Sequence, residues 1–398
     1  MKIRSLAAAA FGAALVVAAA TEHGEAHKPI TSKYTYNDDV FPILRDRCSR
    51  CHVAGGVAPM SLMTYEDAFP WAESIRAELV AAHMPPATAD EGFGDVTHAR
   101  PLSPKEVDVL LTWATGGNPR GAIDQKLPEV TLKNDWALGK PDRALPLPSE
   151  FSLAGDTMEA TQEFTVATGL EEPRAIRAID LLPGTPAMVR SAMIVEKGAP
   201  DRILARWQPG QDPEPAGPHG AAVRLPARAE LVVRVRYKKT WSYEGKTLSD
   251  RSTIGLYFAP ADARELTTLP LTSGELPAVK GQTFTFQRNI EQDVQAIAIA
   301  PDHVPDDVTL QVEAVKPDGS RAPLVRFTTR SDWARRYAFT TPQTLPRGTR
   351  IEVTGVIEDA DLASAAFGGP PPAQKPAAPS TIKLALDVVP AGSKPAAP

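Results

Sequence analysis

Between residues 140 and 150 the chain changes its hydrophobic period, and that change limits the fold more than any other feature. The run "KPDRALPLPSE" is a proline-rich connector. Beyond it, short runs alternate apolar and polar residues between proline and glycine turns: "QEFTVATG", "AIRAIDLLPG", "AMVRSAMIVE", "AELVVRVRYKK", "STIGLYFAP", "QAIAIAP", "VTLQVEAV", "PLVRFTTRS" and "TRIEVTGVIEDA". Alternation of period two, rich in β-branched residues, predicts strands, because successive strand side chains point to opposite faces. Many short, evenly spaced strands predict all-β sandwich or jelly-roll domains. The length suits two of them, at 145–268 and 275–390, divided near Leu269 to Val279. The stretch "AFGGPPPAQKPAAPS" reads as a solvated loop and residues 391–398 as a flexible tail. The 39 prolines in 398 residues favour short strands and loops over long helices.

Upstream of the connector, residues 30–125 read as a small all-α domain. "YNDDVFPILRDRC" offers Asn37 as an N-cap and sets Val40, Phe41 and Leu44 on one face. "TYEDAFPWAESIRAELVAA" opens with Thr64 and Asp67 in capping-box spacing, and Ala68, Trp71, Ile75, Leu79 and Ala82 form a stripe. In "LSPKEVDVLLTWATGG", Ser103 caps, Pro104 takes the first helical position and Glu106 completes the box. Val107, Leu110, Leu111 and Ala114 are expected to face inward.

Residues 1–20, "MKIRSLAAAAFGAALVVAAA", have the layout of an export signal peptide. Lys2 and Arg4 precede an apolar run, and small residues follow it; cleavage after Ala26 is an alternative. The protein is therefore expected in the periplasm or outside the cell. No later segment holds about 18 consecutive apolar residues, so no transmembrane segment is expected in the mature chain. The formal charge is -5, and loss of Lys2 and Arg4 makes it -7 (-5 minus 2). An acidic chain without a basic stripe argues against a nucleic-acid partner.

Cys48 and Cys51 are the only two cysteines in the chain. An exported protein ordinarily uses cysteines in disulfides. A loop this short removes little unfolded-state entropy, so stability does not explain the pair. The order Cys48-Ser49-Arg50-Cys51-His52 has the spacing of c-type haem attachment. Two thiols about one turn apart can each add to a porphyrin vinyl group, and the following imidazole can bind the iron as proximal ligand. A redox dithiol would sit at a helix start in a βαβ setting, and a zinc site would need two further ligands nearby. For the distal ligand, Met84 in "AAHMPPATAD" follows a helix, and Pro85 and Pro86 stiffen its loop. Met60, Met63, His83 and His98 compete; Met60 and Met63 lie close in sequence to His52 and are expected to line the pocket. A Met/His pair raises the potential and suits electron transfer.

The run "CSRCHVAGGVAPMSLMTYEDAFPWAESIRAELVAAHMPP", with "RPLSPKEVDVLLTWATGGNPRG", resembles bacterial c-type cytochrome domains fused ahead of a copper type II, ascorbate-dependent monooxygenase module. That module is similar to peptidylglycine α-hydroxylating monooxygenase. The resemblance implies thioether bonds at Cys48 and Cys51, with His52 proximal and Met84 distal. Residues 145–360 also resemble the module, through "PAMVRSAMIVE", "LPARAELVVRVRY", "IAPDHVPDDVTLQVEAVKPDGS" and "LPRGTRIEVTG". The family holds its coppers with five histidines and a methionine. This chain departs from it: Arg190-Ser191 stands for a His-His pair, Arg236 for the His before Tyr237, and Asp302-His303-Val304 for a His-x-His motif. His219 and His303 are the only histidines after His98. Arg190 and Arg236 are expected to pair with acids such as Glu196 or Asp302, or to fill the space. His219 is expected in a solvated loop, His303 in an acidic turn, and Trp207, Trp241 and Trp333 in cores.

The sequence thus points to an exported monohaem c-type cytochrome, with degenerate monooxygenase-like β domains that dock a redox protein partner or act as scaffold. One covalent haem c and no copper are expected, and no catalytic residue is assigned. Two alternatives belong to other classes: a divergent copper monooxygenase reduced by its own haem, and a β-domain binding module with a redox-sensing haem.

Overall fold

The computed structural model describes residues 31–86, 89–97, 102–211, 218–276, 282–306, 308–329, 333, 335–357 and 381–392. The expected signal peptide, His98, the loop at 366–380 and the tail from 393 lie outside the described residues. Strands take 42% of the chain and helices 16%, so the architecture is mostly β.

The helices come first. A π-helical turn at Tyr36–Val40 leads into α1 (Phe41–Arg47), followed by α2 (Tyr65–Ala68), α3 (Ala72–Val80) and α4 (Pro104–Thr115). The opening turn is capped by Thr35, whose hydroxyl accepts from the Asp38 N–H. Asn37, expected as the cap, is buried and donates its side-chain amide to Ala122 O at 2.8 Å. The helix expected without a break from Thr64 is divided by a 3₁₀ turn at Phe69–Trp71. Pro70 lacks the N–H that would continue the α pattern. The last turn ends at Val80, and Ala82 has φ 52°. Ser103 and Glu106 form the expected reciprocal capping box on α4. The inward face of α4 is rotated from the expected one. Val109, Leu110, Trp113 and Ala114 are buried, while Val107 and Leu111 are half-buried. The Trp113 indole sets that face: its ring packs at 6.0 Å from Tyr36 and its N–H donates to Pro119 O at 3.1 Å. These short helices establish a helical segment but not, by themselves, a cytochrome fold.

Two β-sandwiches follow. In the first, β1 (Arg143–Pro146), β10 (Thr253–Phe258), β4 (Arg174–Leu182), β7 (Ala221–Leu225) and β11 (Arg264–Glu265) form one sheet in that order. The facing sheet runs β3 (Glu159–Ala167), β8 (Glu230–Lys238), β5 (Val189–Glu196), β6 (Ala199–Trp207); β2 (Phe151–Leu153) and β9 (Leu248–Asp250) pair separately. In the second sandwich, β12 (Thr267–Thr272), β19 (Lys383–Pro390), β14 (Val294–His303) and β17 (Tyr337–Leu345) form one sheet. β13 (Thr283–Asn289), β18 (Arg350–Ile357), β15 (Val308–Val315) and β16 (Arg321–Thr328) form the other. Counted in chain order, its strands run 1-8-3-6 and 2-7-4-5, the double Greek key of a jelly roll. The first sandwich repeats this order, with β2, β9 and β11 added. Only Leu266 separates β11 of the first from β12 of the second, so the change of sandwich falls there and not at 269–279.

The two sandwiches interlock. A bulge between Ala296 and Ala298 interrupts β14, and Ile297 and Val389 join the apolar core of the first sandwich. Arg264 donates to Gln295 Oε1 at 3.0 Å and to His219 O at 2.6 Å. His219 Nε2 lies 2.6 Å from Phe339 O; a carbonyl only accepts, so the ring donates. His219 is thus a part-buried junction residue, not the solvated loop histidine expected. A loop reading from the Pro/Gly turn could not show the partner 120 residues away.

A third connection comes from the helical segment. Residues 89–97 lie along β16 and β17, the edge strands on one side of the second sandwich. Asp90 N–H donates to Arg326 O at 2.8 Å, Thr97 N–H to Ala338 O at 2.7 Å, and Thr340 N–H to Asp95 O at 2.9 Å. The two edges on that side are thereby partly covered, which is one way sheets avoid pairing with other chains.

One buried carboxyl gives the fold a pH dependence. Asp180 in β4 is 4% exposed and accepts from Leu181 N–H at 2.8 Å. Burial pushes its carboxyl up to about 6, although hydrogen bonds from Leu181, Ala137 and the Trp207 indole oppose the rise. A raised carboxyl pKa favours the folded state below the unfolded value near 4, and this contribution is lost as pH rises through 6. From pH 4 to 7 the protein should lose up to roughly 3 kcal/mol relative to Asp180→Asn, read by urea denaturation at each pH. Parallel pH profiles for the two proteins would refute this.

Candidate functional site

Cys48, Cys51 and His52 lie on one tight turn at the end of α1. Cys48 N–H closes the helix on Leu44 O at 2.9 Å. The N–H groups of Cys51 and His52 then both donate to Cys48 O, at 3.1 and 2.8 Å. Past the motif, Ala58 N–H returns to Cys51 O and Leu62 N–H to His52 O, at 3.2 and 3.1 Å. Tyr36 anchors this return by donating its hydroxyl to Leu62 O at 2.8 Å. The histidine backbone is therefore held from both sides.

Both thiols are free and half-buried. Burial pushes Cys48 up to about 12 and Cys51 to about 11; for Cys51, Arg190 and Arg50 act in the opposite direction. Burial also lowers the His52 pKa, favouring the neutral ring. Its Nδ1 lies 3.3 Å from Met60 O. Since the carbonyl can only accept, Nδ1 carries the hydrogen and Nε2 keeps the lone pair. A backbone acceptor behind one ring nitrogen, with the other free to ligate, is the usual support of a metal-bound imidazole. The thiol pair, the neutral imidazole and the carbonyl behind it fit a covalently attached haem.

The expected distal residues separate. Met63 is buried in the helical core and Met60 packs against it. Met84 lies in the turn after α3 with 37% of its surface exposed, and its N–H donates to Glu78 O at 3.4 Å. The His83 ring nitrogen Nδ1 faces Glu78 Oε2 at 3.2 Å. The structure thus brings Cys48, Cys51, His52 and Met60 together, and leaves Met84 and His83 side by side on the next turn.

Sequence reasoning missed what lies against Cys51. Its sulfur sits 3.8 Å from Pro209 O, just past β6. Arg50 donates to Gly210 O at 3.3 Å, and Ser242 to Pro59 O at 3.5 Å. Gly210 has φ 76°, and a Cβ there would lie 2.7 Å from the Cys51 sulfur. The cysteine-bearing turn is therefore docked on the first sandwich. The sequence signal was slight: a Pro209–Gly210 pair of the kind that marks turns.

The positions compared with copper ligands hold other interactions. Arg236 in β8 pairs with Glu159 at 2.6 Å, not with Glu196 or Asp302. Glu196 pairs with Arg202 at 2.5 Å, and Asp302 with Arg206 at 2.9 Å across the two sandwiches. Arg190 follows Val189 at a β5 bulge, on the side of Cys51. His303 ends β14 opposite Lys383, so it belongs to a strand and not to an acidic turn. Trp207 packs on the first core, whereas Trp241, expected in a core, is 61% exposed. Among the described residues, no group of three or more His, Cys, Asp or Glu side chains could hold a metal ion.

No protein-family profile and no curated protein matches the chain. Among solved structures, it is similar to the major capsid protein P2 of bacteriophage PM2: 10% identity, 62% of this chain, 96% of that chain, TM-score 0.27. For the PBCV-1 protein VP54 the identity is 7%, over 62% of this chain and 95% of that one, with TM-score 0.24. For allantoicase it is 12%, over 50% and 76%, with TM-score 0.18. Similarity this distant assigns neither family nor activity.

In the haem-free chain, both thiols should react with iodoacetamide at pH 8 more than about tenfold more slowly than in urea, because burial keeps them protonated. Equal rates in mass-spectrometric time courses would contradict the burial of the pair.

Proposed function

We propose that the protein is an exported, monohaem c-type cytochrome that carries single electrons, with the two β-sandwiches serving as scaffold and docking body. The observation that carries this reading is the Cys48–Cys51–His52 turn. Its two thiols are unlinked and adjacent, and its imidazole is neutral, with Nδ1 directed to Met60 O. A disulfide or an isolated thiol pair would not require that third group. Haem c, when bound, supplies a one-electron iron centre. Cys48 and Cys51 would hold it, and His52 and Met84 would ligate its iron.

The protein's own residues account for orientation and insulation. Met60 O fixes the His52 tautomer, and Tyr36 pins the return loop through Leu62 O. The Pro209–Gly210 turn covers the Cys51 side of the motif. The resemblance to copper monooxygenases extends to the β half, but its ligand positions hold Arg190, Arg236 and Asp302. The partners of Arg236 and Asp302 are protein groups, which favours a structural role there.

Produced with haem maturation, the purified protein should carry a single covalent haem, visible in its pyridine haemochrome spectrum, and Cys48→Ala with Cys51→Ala should abolish it. Metal analysis finding about one or two tightly bound coppers per chain would overturn the non-enzymatic reading. Met84→Ala should remove the methionine–iron signature and lower the potential. An unchanged spectrum would move the distal role to His83 or His98.

A further inference from the structure

Met84 sits between two anchors. On its N-terminal side, the N–H groups of His83 and Met84 both reach Glu78 O, at 2.9 and 3.4 Å. That anchor is the last turn of α3, where Val80 is 49% exposed and Ala82 has left helical geometry. Such an end frays readily, since its carbonyls have few helical partners. On its C-terminal side the chain reaches Ala89, which is buried in the core of the second sandwich. Five residues span at most about 17 Å, so the second anchor limits where the Met84 sulfur can go.

The second anchor is the stronger one. Ala89 bridges to Phe327 and Val96 to Phe339. Three main-chain bonds join the segment to Arg326, Ala338 and Thr340, all between 2.7 and 2.9 Å. Asp90 forms an ion pair with Arg326 at 2.6 Å, and the Arg326 guanidinium lies 5.1 Å over the Phe93 ring. Asp95 accepts from the Thr340 hydroxyl at 2.9 Å. Gly94, at φ 76°, passes so close to β16 that a Cβ would overlap the Leu324 carbonyl. Only glycine suits that backbone and that approach. Met84 itself is not part of the helical core, where Met63 is buried. Its direction therefore depends on these two anchors more than on packing around it.

We propose that the second sandwich positions Met84 as iron ligand through residues 89–97, with Gly94 and Asp90 as positioning residues. The proposal rests on the reading of Met84 as the distal ligand. It gives the second sandwich a function in the redox site through a segment outside its own strands. Loosening the strap frees the thioether loop at one end, and the iron then loses its methionine for part or all of the population.

The test compares full-length, haem-loaded wild type with Gly94→Ala, Asp90→Ala, Asp90→Glu and a control, Gly355→Ala. The control places a Cβ against the Phe284 ring, disturbing the second sandwich away from the strap. Covalent haem content, the methionine–iron absorption band and the reduction potential are measured on each. The expected result is full haem content throughout, with the band lost and the potential lowered in Gly94→Ala. Asp90→Ala should shift both in the same direction but less, Asp90→Glu should recover them, and Gly355→Ala should match wild type in band and potential. If Gly94→Ala fails to fold, the two Asp90 variants decide. A wild-type band and potential in the strap variants would overturn the coupling and leave the haem reading intact. Equal loss in Gly355→Ala would reduce the effect to general destabilisation and also overturn it. Absence of the band from wild type itself would remove Met84 as ligand, and the coupling with it.

Discussion

The main-chain pairing of residues 89–97 with β16 and β17 is the constraint on which the arrangement of the whole molecule depends. A jelly roll ends in strands whose outer N–H and C=O groups have no neighbour, and such edges invite pairing with other chains. Here one segment bridges the edges of both sheets on the same side. The segment belongs to the helical part of the chain, so the same hydrogen bonds that complete the β-sandwich also bind the cysteine-bearing unit to it. A covering strand from within the chain needs no partner protein and imposes a fixed relation between the two ends of the molecule.

The first sandwich holds the helical unit from another direction. Cys51 rests on the Pro209–Gly210 turn, and Arg50 reaches the Gly210 carbonyl. Close approach of this kind needs a residue without a side chain, and Gly210 supplies it. The helical unit is therefore seated against both sandwiches, by a sulfur contact on one and by a strap on the other. A small core built around Tyr36 and Trp113 gains support from surfaces that it does not itself contain.

The sequence made some of this legible and concealed the rest for physical reasons. Strands with strict alternation and no proline, such as β8 and β15, could be read directly, because each buries one face. β6, β12 and β17 were missed; each contains a proline, Pro200, Pro270 or Pro342, and each is an edge strand, where a missing N–H is tolerated, while β1 was taken for a connector and β7, β13 and β19 were missed without that cause. The capping box at Ser103 was readable because it is local. The inward face of α4 was not, because Trp113 turns toward Tyr36, a residue far away in sequence. At the candidate site the Cys-x-x-Cys-His spacing carried its own chemistry. The His52–Met60 bond, the Gly210 contact and the strap were hidden, since they join segments that no periodicity relates. His219 is the same case: a turn by sequence, a junction by structure.

The bulge at Ala296–Ala298 has a wider consequence. By turning Ile297 into the core of the neighbouring sandwich, it lends the first sandwich apolar side chains from strands of the second, across what the topology presents as a domain border. Unfolding either sandwich would strip apolar cover from the other. The β half should therefore melt as one cooperative body, and neither jelly roll is a module that can be cut out intact.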